Sequence, residues 1–393
     1  MQKSIMERAE ELKNEVVANR RHLHEHPEVA MKLPETVNFV MERLRELGCE
    51  PKQCGPSGVT ATIGHGSPVL LLRADMDALP MPEASGLDFA SKDPKAAHTC
   101  GHDCHTAMLL GAAKLLKERE AELKGTVKLA FQPGEEVFMG ARSMLEDGLL
   151  ENPKVDAAMG MHIFPMFHFG TLGYREGELM ASVDGFEITI TGQGCHGALS
   201  YKGVDPINIG VHIHLALQEL ISREIDSNEA ALITVGAFNS GDAANIIPQT
   251  AVLKGTIRTY TPAVRDFLKK RLKETAEAIA AAYRGSAKVE FAYQVPPCIC
   301  EPEMTKEFKG YAEEITGGAL ELTELPRLQG SEDFALISQE VPSVFFTLGA
   351  DFPGKETVTM QHNPAVLFNE DAMPWGTALY AGCAIKWLEK HSA

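Results

Sequence analysis

The stretch "SVDGFEITITGQG", residues 182–194, sets Phe186, Ile188 and Ile190 against polar neighbours. That two-residue period predicts a strand with one buried face. It also marks a change of grammar along the chain. Upstream, "VTATIG" (59–64), "PVLLLRADMDA" (68–78) and "GTVKLAFQPGEE" (125–136) read as strands buried on both faces. Helical patterns lie near 4–26, 34–48 and over "TAMLLGAAKLLKERE" (106–120). Apolar runs alternating with helices predict an α/β sheet covered on both sides, a three-layer αβα domain. Downstream come a helix ("PINIGVHIHLALQELISRE", 206–224), two strands (231–241 and 250–260), a long helix (262–285) and a strand (287–295). That β-α-β-β-α-β order is the ferredoxin-like split unit. After "VPPC" (295–298) the α/β pattern resumes, with strand "SVFFTLG" (343–349) and a helix from about 371. The expected architecture is one α/β domain over 1–180 and 295–393, interrupted by an α+β insert over 181–294.

With 393 residues, two domains are the natural expectation. The net charge of −17 speaks against nucleic acid or an anionic membrane as partner, since both attract basic surfaces. The amphipathic first 28 residues lack a signal-peptide core, and no apolar run reaches membrane-spanning length. Eight irregularly spaced cysteines do not form a disulfide framework, so a cytoplasmic location is expected.

Polar groups cluster where strands should end, the edge at which open α/β sheets bind ligands. "RADMDALP" carries Asp75 and Asp77, "HTCGHDCH" (98–105) carries Cys100 and His102, "FQPGEE" carries Glu135 and Glu136, and "MGMHIFP" carries His162. "MQHNPAVLF" adds His362 ahead of the final helix. Thiolate, imidazole and carboxylate together are the donors of a zinc or manganese type site. Singly, each has a bland reading: a Cys-x-His pair is often incidental, and a lone histidine often packs in a core. The adjacent glutamates are harder to dismiss, because like charges at a strand end repel unless a cation lies between them. One ligand plus one general base resolves that. A thiol switch or metal store built on Cys100 and Cys104 stays open on these residues alone.

Taken together, "HLHEHPE", "RADMDALP", "HTCGHDCHTA", "FQPGEE", "MGMHIFP", "GCHGA", "ANIIPQ", "GTIRT", "GSEDFA" and "HNP" resemble the metal-dependent amidohydrolases of the zinc exopeptidase clan. That family includes aminoacylases, hippurate hydrolases and auxin-conjugate hydrolases, and the resemblance runs from about residue 15 to 390. It implies a metallo-exopeptidase-like catalytic domain whose insert serves as lid and dimerisation domain. It implies two divalent ions per subunit (zinc or manganese, with cobalt or nickel as alternatives). Cys100 would bridge them, Glu136 and His362 would complete one shell, and His102 and His162 the other. Where the wider clan has a ligating histidine two residues before Asp77, this chain has Asp75, and His102 takes that place. Asp77 would orient a ligand from behind. Glu135 would be the general base on the bridging water, and His196 would donate to the oxyanion, delivered from a neighbouring subunit's insert. Asn245 and Arg258 would hold the substrate carboxylate, for which an arginine fork is suited. His98, Cys104 and His105 are expected outside the ligand shell, His24, His212 and His214 in packing roles, and residues 330–334 as local structure near the site.

The implied reaction is hydrolysis of a small N-acyl amino acid to a carboxylic acid and a free amino acid. A dipeptidase or short-peptide exopeptidase with the same binuclear site is the alternative. The partner implied by this resemblance is a second copy of the chain, in a homodimer or higher homo-oligomer formed through the insert.

Overall fold

The structure, a computed structural model, describes residues 3–354 and 359–392. The chain divides into two compact units: 1–179 with 299–326 and 333–393, and 180–298 with 327–332.

The first unit is built on an eight-stranded sheet. Its middle is four parallel strands in the order Thr126–Gln132, Val69–Asp75, Ala157–Phe164 and Ser343–Gly349. Every residue of these four strands is buried, which is why they read as continuous apolar runs. Alternate residues serve opposite faces. Leu70, Leu72 and Ala74 join a core with helices Ile5–Glu25, His102–Glu118 and Met373–His391. Phe345 points the other way, where it meets Phe334 of the short helix Phe334–Ser338. On either side the parallel core is joined antiparallel, by Gly58–Gly64 on Thr126–Gln132 and by Thr171–Tyr174 on Ser343–Gly349, and Glu321–Glu324 adds an edge strand parallel to Thr171–Tyr174. The sheet with helices on both faces is the three-layer αβα class expected above.

The helix after the histidine cluster begins earlier than its apolar pattern suggests, at His102 rather than near Thr106. Gly101 allows this. Its φ of +97° is the left-handed region, and a Cβ there would lie 2.7 Å from Ile163 Cγ2. Cys100 and His102 therefore flank a sharp turn.

The second unit is a four-stranded antiparallel sheet, in the order Ala231–Asn239, Thr250–Thr259, Val183–Thr191 and Ser286–Val295. Helices Pro206–Glu219 and Pro262–Ala282 pack on one face through Ile209, Ile213, Leu268 and Leu272 against Ile188, Ile190 and Leu253. This is the β-α-β-β-α-β unit. Its charged anchor is Asp184, fully buried and gripped by both Arg265 nitrogens at 2.7 and 2.8 Å.

Candidate metal centre

Asp77 organises the first unit's polar edge. It lies two residues beyond the end of Val69–Asp75, and its carboxylate accepts the backbone N–H groups of Glu135 (3.0 Å) and Glu136 (3.2 Å). The loop after one parallel strand is thus pinned by the loop after its neighbour. Asp77 also fixes a histidine. Its carbonyl oxygen, which can only accept, takes the Nδ1–H of His102 at 2.8 Å. The His102 Nε2 then carries a lone pair, and this buried atom has no hydrogen-bond partner among the described residues. His162 is oriented the same way: Nδ1–H donates to the carbonyl of Ile163 at 2.8 Å, leaving Nε2 3.4 Å from Cys100 Sγ. Backbone or carboxylate partners behind metal-binding imidazoles set the tautomer in this fashion.

His362 arrives from the loop beyond the last parallel strand. Its φ is +59°, and its N–H donates to Thr99 O at 3.0 Å. Nε2 lies 3.2 Å from Glu136 Oε1, yet that buried oxygen has no aligned hydrogen-bond donor among the described residues. Two three-residue sets result, Cys100–His102–His162 and Cys100–Glu136–His362, each with donor atoms within 4.8 Å of one another. Cys100 belongs to both. His102, Glu135 and Glu136 form a third such set.

The electrostatics ask for positive charge. Burial and then the carboxylates of Glu136, Glu135 and Asp75 push the Cys100 thiol well above its usual range. Burial works against protonated His102, but Asp75, Asp77 and Glu136 outweigh it and raise this imidazole to about 10. A divalent cation relieves both strains, by pairing with a thiolate and by taking the place of the proton on His102 Nε2. The orphaned Nε2 and Oε1, the fixed tautomers and the mixed sulfur, nitrogen and oxygen donors fit a pair of such ions.

The same geometry shows which neighbours are spoken for. His105 is buried against Asp75 (Nδ1 to Oδ1, 2.6 Å), and its Nε2 accepts the Ile163 N–H at 2.8 Å. Asp75 gives its other oxygen to Arg73 at 2.6 Å. Cys104 is core. His24 is structural: Nδ1 meets Asp103 at 2.8 Å and Nε2 meets Glu83 at 3.0 Å. His98 is buried as well, and neither ring nitrogen has a partner among the described residues. Glu135 is buried, and its Oε1 accepts the Asp333 N–H at 3.4 Å. The Asp333 carboxylate in turn takes Gln132 Nε2 (2.6 Å), Arg73 (3.0 Å) and Ala141 N–H (3.0 Å).

His196, Asn245 and Arg258 belong to the second unit. A two-stranded ribbon, Cys195–His196 with Ile246–Ile247, brings the first two together, and Gly197 N–H donates to Asn245 O at 2.8 Å. The Nδ1 of His196 accepts the Ala198 N–H at 3.1 Å, so Nε2 bears the proton on an exposed ring. Arg258 is half-buried and donates to Ser331 Oγ. His212 stacks on Tyr283 at 4.7 Å. Sequence reading took Ser331 only as local structure near the site and gave no role to Gln361, whose Nε2 lies 3.4 Å from Cys100 O. Only its place beside His362 could have hinted at the second.

The model of peptidase family M20/M25/M40 matches residues 71–386. The chain belongs to that family. As an M20 member it is a metal-dependent hydrolase of amide bonds. It is 39% identical to the N-acetyl-L-cysteine deacetylase of Bacillus subtilis, over 92% of this chain and 85% of the relative. It is 37% identical to IAA-amino acid hydrolase ILR1-like 4 of Arabidopsis thaliana, over 95% and 86%. A solved Bacillus subtilis M20 protein, described as a dinuclear metal-binding peptidase, superposes with a TM-score of 0.82 at 35% identity, covering 97% of this chain and 99% of that one. No helix among the described residues is long and apolar enough to cross a membrane.

Proposed function

We propose that this M20 enzyme hydrolyses N-acyl amino acids, of the N-benzoylglycine or N-acetyl amino acid type, to a carboxylic acid and a free amino acid. The observation that carries the reading is Cys100 shared between two donor sets, with buried Glu135 directly beside Glu136. Cys100, Glu136, His362, His102 and His162 would hold two divalent ions, zinc or manganese, which when bound acidify water and polarise the scissile carbonyl. Glu135 removes a proton from the attacking water as its oxygen bonds the acyl carbon. When the C–N bond breaks, Glu135 returns that proton to the departing amine. Asp77 holds Glu135 and Glu136 in register through their backbone N–H groups. The Nε2–H of His196 suits it to donate to the oxyanion of the tetrahedral adduct. Asn245 and Arg258 would bind the carboxylate of the amino-acid half.

The second unit, taken as an insert over about 181–294, would act as lid and dimerisation domain and supply His196 to a neighbouring subunit. Ile207, Val211 and Leu215, spaced by four along one helix, are exposed there and suit a partner surface. Eight free cysteines favour a reducing cytoplasm.

The test is turnover of N-benzoylglycine, N-acetyl amino acids and dipeptides by the chain loaded with each of several divalent metals. The N-acyl substrates are expected to lead. A clear preference for dipeptides would replace this reading with an exopeptidase.

A further inference from the structure

Among the described residues the first unit leaves three large apolar side chains exposed: Val137 (39%), Met139 (57%) and Met360 (62%). All three flank the metal centre in sequence. Val137 and Met139 lie one and three residues after Glu136, and Met360 precedes His362 by two residues. A fold that covers its other described large apolar groups wholly or in part does not leave these out for want of core.

The backbone holds them there at a cost. Phe138, between Val137 and Met139, has a φ of +57°, a left-handed conformation that a bulky residue rarely adopts. A knot of backbone bonds imposes it: Phe138 N–H to Glu135 O (2.9 Å), and Met139 N–H and Gly140 N–H both to Gly134 O (3.1 Å each). Gly140 admits no side chain, since a Cβ would fall 1.5 Å from Pro133 O. On the other strap, His362 is also left-handed and tied to Thr99 O. The His362–Glu136 approach of 3.2 Å joins the two straps at the centre itself.

We infer that Val137, Met139 and Met360 form the subsite for the acyl group of the substrate and select acyl chains larger than acetyl. This rests on the reading above, in which the amino-acid carboxylate is assigned to Asn245 and Arg258, leaving these residues the acyl half. Two flexible, polarisable methionines suit straight aliphatic and aromatic acyl groups rather than one fixed shape. Burying each added methylene is worth about fourfold in affinity.

The test measures binding and turnover separately. Calorimetry on the metal-loaded chain with acetate, butyrate, hexanoate and benzoate reads the acyl product, and kcat/KM for the matching N-acylglycines reads the reaction. Affinity is expected to climb by about threefold to fourfold per methylene. In Met139→Gln/Met360→Gln, with metal stoichiometry checked, the hexanoate-to-acetate ratio should fall at least about tenfold, two to three methylenes' worth. Val137→Ser should lower the ratio by less. An unchanged ratio in all variants overturns the inference. A steep carboxylate gradient without N-acyl turnover would leave this subsite standing and remove the proposed reaction. Turnover with a flat gradient would do the reverse.

Discussion

The two units handle polarity in opposite ways. In the first, Asp75, Asp77, His102, His105, Glu135 and His162 are all buried, each held by named backbone or side-chain partners. In the second, the chemically interesting His196 and Asn245 are exposed and Arg258 is half-buried. Among the described residues, exposed large apolar groups show the reverse balance: three in the first unit, and the rest between Leu199 and Tyr293. A binding centre for cations gains from being largely dry and preassembled, because reorganising ligands around an ion forfeits affinity; of the proposed ligands Cys100, His102 and His162 are buried, Glu136 is partly buried and His362 is exposed. Groups that receive substrate or a partner subunit must begin accessible. The first unit is built to hold, and the second to meet something.

That contrast can be broken by experiment. Glu135→Gln should lower kcat by roughly a hundredfold to ten-thousandfold with both metals retained, since it removes the base and not a ligand. Metal analysis beside turnover checks this, and undiminished turnover would refute the base. His196→Ala should lose roughly a hundredfold to a thousandfold in kcat, again with full metal content. Lost metal in that variant would erase the division of labour. Asp77→Asn should behave oppositely, weakening metal affinity and activity by roughly tenfold to a hundredfold, because it loosens the glutamate loop and the environment of His102. Competition with a chelator reads it directly, and wild-type affinity would show that Asp77 does not orient the shell.

The smallest effect tests the dry side alone. Burial opposes ionisation of Glu83, but His24, Ser85 and the Ser91 N–H hold its carboxyl down at about 2. A carboxylate with a depressed folded pKa contributes stability above its unfolded value of 4.5 and loses it as pH falls towards about 2. Urea unfolding across pH 2–5 should show that loss in the native chain, and Glu83→Gln should flatten the curve in this window and cost about 1–3 kcal/mol at neutral pH. An unchanged profile would remove Glu83 from the support of His24.

Much of this was legible along the chain. Buried parallel strands need apolar residues at every position, so the first unit's sheet stood out as unbroken runs. The half-exposed strand with Phe186, Ile188 and Ile190 gave its two-residue period because only one face meets helices. Donor residues announced themselves by falling where those runs stop. The helix start at His102 was hidden, because the turn at Gly101 is a backbone matter and the apolar pattern begins only after it. The engagements of Asp75 and Asp333 were hidden too. Arg73 bridges them by reaching 260 positions along the sequence to Asp333, and no local pattern encodes such a contact.

The sequence by itself determined the element types, the interruption of one architecture by another, and the inventory of sulfur, imidazole and carboxylate groups. These follow from periodicity and residue chemistry, which act over a few neighbours. Only the tertiary structure decided which inventory members face a common point, since a histidine becomes a ligand or a strut according to what occupies its other nitrogen. His102 keeps Nε2 free because Asp77 takes Nδ1, whereas His105, three residues on, spends both.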